Sequence, residues 1–141
     1  MIDISEKNTV VRIATSSGKI ILKNDTIERI KNHQVKKGDV LTIAKIAAIN
    51  AVKKVPELIP LCHPIPITNV SVEFTIENES VEVKCTVKSI SKTGVEMEAL
   101  TGVNLALLNI WDVVKMYEKD ENGQYPATVI SDIKVEEKIK K

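Results

Sequence analysis

Residues 70–88 constrain the fold more than any other stretch of this chain. Val70, Val72, Phe74 and Ile76 alternate with Ser71, Glu73, Thr75 and Glu77. Beyond a polar turn at Asn78-Glu79-Ser80, Val81, Val83, Cys85 and Val87 alternate with Glu82, Lys84, Thr86 and Lys88. Apolar residues at period two put one face of each strand against a core and the other in water, which predicts an antiparallel hairpin covered on one side. Something must supply that cover. The stretch after Lys92-Thr93-Gly94 carries Met97, Leu100, Val103, Leu107, Trp111 and Val114 at helical spacing, so a long helix is expected from about Val95 to Lys119, broken by Asn122-Gly123.

The preceding half reads in the same way. Val10–Thr15 and Lys19–Leu22 suggest a strand pair around Ser16-Ser17-Gly18, a polar turn with a glycine for positive φ. Asn24 or Asp25 can cap a short helix with Ile27 and Ile30 on one face. A second helix is expected over about Val40 to Lys54, capped by Asp39 or Thr42 and ended by Pro56. Its Ala44, Ala47, Ala48 and Ala51 allow another element to come close. Pro60, Pro64 and Pro66 then make Leu58–Ile67 a stiff loop or edge, pinned by its Leu and Ile side chains. Thr128–Glu137 gives a last strand, with a charged and frayed end over about 131–141. The order β, α, α, β, β, α, β describes one domain over 1–141, of the α+β class. It is a ferredoxin-like sandwich, an antiparallel sheet with helices on one face, with one additional helix.

Composition removes several functions. Twenty basic and nineteen acidic residues leave a net charge of +1, which argues against a broad nucleic-acid or membrane footprint while permitting a local basic pocket. Aromatics are only 3%, too few for a base-stacking surface. Cys62 and Cys85 lie far apart without a CxxC partner, the pattern of reduced thiols rather than a disulfide framework. No continuous apolar run approaches a membrane span and no signal-peptide pattern opens the chain, so cytoplasm is the expected location.

Candidate chemistry sits in polar groups placed inside ordered elements. His63 lies in a proline-stiffened Cys-His-Pro turn; an extended backbone there would point Cys62 and His63 to different sides, which disfavours a thiolate–imidazole dyad. With His33 the only other histidine, no zinc site is expected. Glu96 and Glu98 fall in the first turn of the long helix, where carboxylates suit the helix dipole or could accept hydrogen bonds from a ring. Asp112 and Lys115, three residues apart beside Trp111, share a helix face and can pair or exchange protons. Lys36-Lys37-Gly38-Asp39 is a cationic turn before a helix, either solvated or fit for phosphate. Neither a P-loop nor GxGxxG occurs. Glu98 and Asp112 are about 21 Å apart along one helix at roughly 1.5 Å per residue. They cannot serve one small reacting centre unless the ligand is long or the site is built between subunits.

Together these segments carry a resemblance. Asp3-Ile4-Ser5-x-Lys7, Lys37-Gly38-Asp39-Val40, Leu58-Ile59-Pro60-Leu61-Cys62-His63-Pro64, Lys92–Thr101 and Trp111-Asp112-Val113-Val114-Lys115 are similar, in order and spacing, to the cyclic pyranopterin monophosphate synthases, the MoaC family. The resemblance covers Asp3 to about Asp120. It implies a ferredoxin-like subunit, dimers assembling to a homohexamer, and active sites at subunit interfaces. The implied reaction in molybdenum cofactor biosynthesis takes 3′,8-cyclo-7,8-dihydro-GTP, supplied by an upstream radical enzyme, to cyclic pyranopterin monophosphate and pyrophosphate, a phosphorus–oxygen lyase. Carried over residue by residue, Asp112, Lys115 and Lys37 match catalytic positions, and Leu61, Cys62, His63, Met97 and Glu98 match substrate contacts. Glu96 is implied as a further polar pocket group, and Arg12 as a phosphate contact. No cofactor is required, although Mg²⁺ can accompany a triphosphate. The chain departs from the pattern at its end, where Ser131-Asp132-Ile133-Lys134-Val135 stands in place of a Gly/Ser/Lys-rich segment with a further pocket lysine, a role Lys134 could fill. The rival reading is a nucleotide-sensing module that binds without turnover; RNA binding is a weaker one.

Overall fold

The computed structural model describes all 141 residues. Its elements are β1 (Val10–Ile21), α1 (Asn24–Lys31), α2 (Val40–Val52), α3 (Val55–Leu58), β2 (Ile67–Ile76), β3 (Ser80–Ser91), α4 (Glu96–Glu118) and β4 (Val129–Lys140). The four strands form one sheet in the order β2-β3-β1-β4, every neighbouring pair antiparallel. This is the ferredoxin-like α+β arrangement that the element order predicts, and the 70–88 hairpin falls in β2 and β3 with Val72 opposite Cys85.

One face of the sheet presents Ala14 and Ile20 from β1 and Val81, Val83, Cys85 and Val87 from β3, all buried. The helix α4 covers it with Ala99, Val103, Ala106, Leu107 and Ile110, and α2 packs along α4 through its small residues Ala44 and Ala48. Burying that surface is the main stabilising term of such a domain. By length and hydropathy α4 matches a membrane span, which the sequence reading did not anticipate, but half of the matching window is buried in the fold. A core helix passes the same test.

Four expectations are corrected. Ser16-Ser17-Gly18 is no turn: β1 runs unbroken, with Ser16 paired to Cys85 and Gly18 to Val83. The glycine is there for close approach, since a Cβ on it would stand 2.9 Å from both Leu107 Cδ1 and Val103 Cγ1 of α4. The chain's end is not frayed. The strand β4 pairs with β1 as far as Lys140 opposite Arg12, and Lys141 exchanges backbone hydrogen bonds with Val11. Pro56 does not terminate α2, which already ends at Val52; it opens the short α3, where a missing N–H costs nothing. Asp39 caps α2 as expected, its side chain accepting from the Thr42 N–H at 2.9 Å. No Asn24 or Asp25 side chain caps α1, whose cap residue Lys23 instead donates its backbone N–H to the Glu118 carboxylate.

Candidate active site

The long helix places chemistry at both of its ends. At its start, Glu96, Met97 and Glu98 form the first turn because the Thr93-Gly94-Val95 corner delivers the chain from β3 into α4. The Leu61-Cys62-His63 loop comes alongside, fixed to the sheet by Ser89, whose hydroxyl donates to the Pro66 carbonyl at 2.6 Å. Its expected apolar pins hold only in part: Ile65 and Ile67 pack on the core, whereas Leu58 and Leu61 are 56% and 71% exposed. Arg12 enters from β1. Together Arg12, Leu61, Cys62, His63, Glu96, Met97 and Glu98 line one cavity of about 670 Å³, so all seven residues expected to meet substrate share a wall.

The cavity carries more cations than the sequence reading assigned. Lys7, Lys92 and Lys138 join Arg12 on its lining. Lys92 donates to the Ser5 carbonyl at 2.6 Å, which folds the N-terminal residues over the opening. Lys138 lies 2.5 Å from Glu96 Oε1. It is a cavity lysine that the sequence reading missed, because its strand was expected to fray. Lys134 does not take that role; its ammonium stands 3.8 Å from Glu136 in a separate polar groove with Ser17 and Lys19. Burial works against the Glu96 charge, but the hydrogen bond from Lys138, with the nearby charges of Lys138 and Arg12, holds its carboxyl below the ordinary range. The Arg12 guanidinium reaches the Lys92 carbonyl only at 3.4 Å, and its Nε is buried without a partner. A buried donor of this kind is an unused contact for an anion.

Two groups in the cavity are pushed toward their neutral forms. Burial raises the Glu98 carboxyl, its own backbone N–H partly opposes this, and the Glu96 charge adds to it. Burial and the Glu98 charge raise the Cys62 thiol, so Cys62 presents a neutral thiol and not a nucleophilic thiolate. Cys85, in the core, is pushed up to about 12 by burial alone. The Glu98 shift has a stability consequence. A carboxyl that is harder to ionise folded than unfolded destabilises the fold once pH exceeds the ordinary value of 4.5, and costs nothing well below it. Glu98→Gln is therefore expected to raise the urea midpoint at pH 7, with the gain disappearing as pH is lowered through 4.5. A gain that persists undiminished at pH 3.5 would show that burial of the charge is not its source.

At the other end of α4 stands a separate cluster. Lys115 Nζ lies 2.9 Å from Asp112 Oδ1, and Lys37 Nζ lies 3.4 Å from Asp112 Oδ2 while donating to the Asp112 backbone carbonyl at 2.9 Å. Lys37 arrives from the turn between α1 and α2, the cationic turn read as either solvated or fit for phosphate, and its ammonium is engaged with Asp112. The hydrogen bond from Lys115, then that from Lys37, holds Asp112 below the usual carboxylate range; the bond to Asp112 in turn raises Lys115. Beside them Trp111 meets Tyr125 edge to face at 5.2 Å. The cluster carries one surplus positive charge and stays partly open to solvent, with Lys115 40% and Asp112 57% exposed at the side chain. It can hold an anion or pass a proton between an ammonium and a bound group.

The ten expected residues thus fall into two sets, seven around the cavity and three in the cluster, about 21 Å apart along α4.

Comparisons with known proteins place the chain among relatives. A profile of the MoaC family matches residues 1–140. The chain is 60% identical over 140 residues to the probable cyclic pyranopterin monophosphate synthase of Archaeoglobus fulgidus, covering 99% of this chain and 90% of that protein. The protein of the same name from Sulfurisphaera tokodaii is also 60% identical, over 99% of this chain and 93% of its own. That of Thermococcus kodakarensis is 57% identical, over 99% and 90%. With the family profile matching nearly the whole chain and such identity over its full length, the chain belongs to the MoaC family.

Proposed function

We propose that the chain is a cyclic pyranopterin monophosphate synthase, converting 3′,8-cyclo-7,8-dihydro-GTP to cyclic pyranopterin monophosphate and pyrophosphate in molybdenum cofactor biosynthesis. The reading rests on the geometry of α4: an anion-ready cavity at one end and a Lys–Asp–Lys cluster at the other. A substrate with a purine-derived ring and a triphosphate tail needs both kinds of surface.

In the phosphoryl step a sugar hydroxyl attacks the α-phosphorus, its proton passing to water or to a cavity carboxylate. The new oxygen–phosphorus bond forms as the bond to the bridging oxygen breaks, and pyrophosphate leaves with that electron pair. Arg12, Lys7 and Lys92 offset the charge growing on the leaving group, and Lys138 can leave Glu96 to join them. The reaction belongs to the phosphorus–oxygen lyase type. Ring opening and rearrangement need proton transfers, for which the ammonium groups of Lys115 and Lys37, bridged by Asp112, form a donor pair. Glu98, a buried carboxylate on the cavity wall, can accept a hydrogen bond from a ring N–H. Mg²⁺, where used, travels on the triphosphate oxygens.

Because α4 holds the two sets apart, the working site is composite: the cavity of one subunit faces the cluster of another. Two-fold antiparallel pairing of α4 helices would bring them together, and the exposed Leu108 and Met116 on α4 support such a contact. We propose dimers that assemble further to a hexamer, in the cytoplasm, receiving substrate from the upstream radical enzyme.

The test is single-turnover conversion of the cyclised GTP intermediate, following pyrophosphate and the oxidised fluorescent pterin. Wild type is expected to form both products, and Lys115→Ala to lose at least about 1,000-fold, in line with removal of a general acid–base group. Saturable binding by well-folded wild type without product would overturn the synthase reading and favour a ligand-sensing module.

A further inference from the structure

The turn that carries Lys37 is held to α4 by a group outside both clusters. It runs from His33 to Asp39 between α1 and α2, and two of its residues, His33 at φ 54° and Gly38 at φ 130°, occupy the left-handed region. One backbone hydrogen bond lies within it, from Gly38 N–H to the Val35 carbonyl at 3.2 Å, and two tie it back to α1, from His33 N–H to the Ile30 carbonyl at 3.3 Å and from Gln34 N–H to the Arg29 carbonyl at 2.9 Å. Two contacts tie it to α4. Lys37 reaches Asp112, and the backbone N–H of Lys36 donates to the Tyr117 hydroxyl at 2.9 Å. The Tyr117 ring is itself fixed, with the Arg29 guanidinium carbon 4.5 Å from its centroid. Asp112 and Tyr117 are five residues apart on one helix, about 7.5 Å along its axis. The turn is therefore gripped at two points spaced by roughly one lysine side chain.

We propose that Tyr117 is a positioning residue for the cluster: by accepting the Lys36 N–H it fixes the Val35–Lys36 peptide, one residue ahead of Lys37, so that the Lys37 ammonium is delivered to Asp112. Lysine is a flexible four-carbon stem, and its ammonium is only as well placed as the backbone that bears it. Misplacement of a reacting group by about 1 Å can cost up to about 100-fold in rate. The Tyr117 hydroxyl touches the turn and not the cluster, so it acts through Lys37. The inference rests on the synthase reading for its kinetic consequence, but the placement of Lys37 can be measured without turnover.

Tyr117→Phe removes only the hydroxyl and keeps the ring under Arg29. Two readouts are expected. Amide exchange at Lys36 accelerates and Lys37 is acylated faster by an amine-reactive probe, while labelling of the other lysines is unchanged. In turnover, kcat falls about tenfold with KM for the cyclised GTP intermediate within about twofold, as expected when a reacting group is misplaced and substrate binding stays intact. In a double-mutant cycle Tyr117→Phe adds nothing to Lys37→Ala, because the two act as a unit. Unchanged labelling of Lys37 would overturn the proposal, as would a loss that adds fully to that of Lys37→Ala. If Tyr117→Phe frees Lys37 but Lys37→Ala turns over like wild type, the positioning stands and the catalytic role given to Lys37 fails.

Discussion

Co-expressing two inactive variants, one Lys115→Ala and the other Arg12→Ala/His63→Ala, is expected to restore about a quarter of wild-type activity if chains pair at random across a two-fold interface. The expectation follows from α4. Glu98 and Asp112 are fixed on one helix about 21 Å apart, farther than hinge-free side chains can bridge. If a site joins one chain's cavity to its partner's cluster, a hybrid dimer holds one site with every defect and one with none. Random association makes about half the dimers hybrid, each with one intact site of two, which gives the quarter. Pairing Lys115→Ala with Asp112→Ala supplies the control. Both lesions lie in the same cluster, 2.9 Å apart, so no arrangement of those chains produces an intact site. Activities are read by pterin fluorescence on the whole co-expressed pool, and dual-tag purification of a portion shows that both chains share oligomers. No recovery in oligomers shown to contain both chains would mean that each subunit works alone, with the two ends of α4 serving different parts of a ligand lying along it.

How far the sequence reading reached depended on what each residue's signal reports. The β2–β3 hairpin and α4 were legible because period two and helical spacing are set by burial, which the sequence records directly. Gly18 was misread because a glycine between serines looks alike whether the chain turns or another element needs room; only the position of Val103 and Leu107 above it decides. The end of β4 was misread for a related reason. It is an edge strand whose Lys and Glu side chains face solvent, so its order comes from backbone pairing to β1, which leaves no apolar pattern. That error hid Lys138. The ten candidate residues stood out as short segments, and helix geometry gave the separation of Glu98 from Asp112 but not the places of Arg12 on β1 or Lys37 in its turn. Tyr117 escaped notice because its hydroxyl serves a backbone N–H from a turn 81 positions away, a contact no local pattern reports. Glu118 did leave a signal: an acidic residue in the last turn of a helix opposes the dipole there, and something must offset it.

What offsets it is a buried network, and removing it is expected to be the most destabilising single change in the chain outside the apolar core. Glu118 is fully buried, as is Thr26, and Thr128 nearly so. Its carboxylate accepts from the Thr26 hydroxyl, from the Thr128 hydroxyl at 2.8 Å, and from the Lys23 backbone N–H at 3.2 Å to each oxygen. Lys23 caps α1, so the carboxylate that opposes the dipole of α4 favours the dipole of α1, whose first N–H groups need acceptors. One side chain thus joins the end of α4, the start of α1 and the entry to β4. Glu118→Ala would strand two buried hydroxyls and a helix-capping N–H, each costing about 1–3 kcal/mol when left unpaired. Relief from burying a carboxylate returns part of that, and water entering the vacated space a little more. A net loss of about 3 kcal/mol is expected. For a chain of this size that corresponds to a fall of roughly 10 °C in Tm. Glu118→Gln, which keeps one acceptor oxygen and the shape, should lose less, and neither loss should respond to salt, since the carboxylate is out of reach of screening ions. Urea unfolding with an unchanged m value is the measurement. A loss below about 1 kcal/mol for Glu118→Ala would mean that water replaces the carboxylate's bonds, and that the joint between α1, α4 and β4 is held by packing alone.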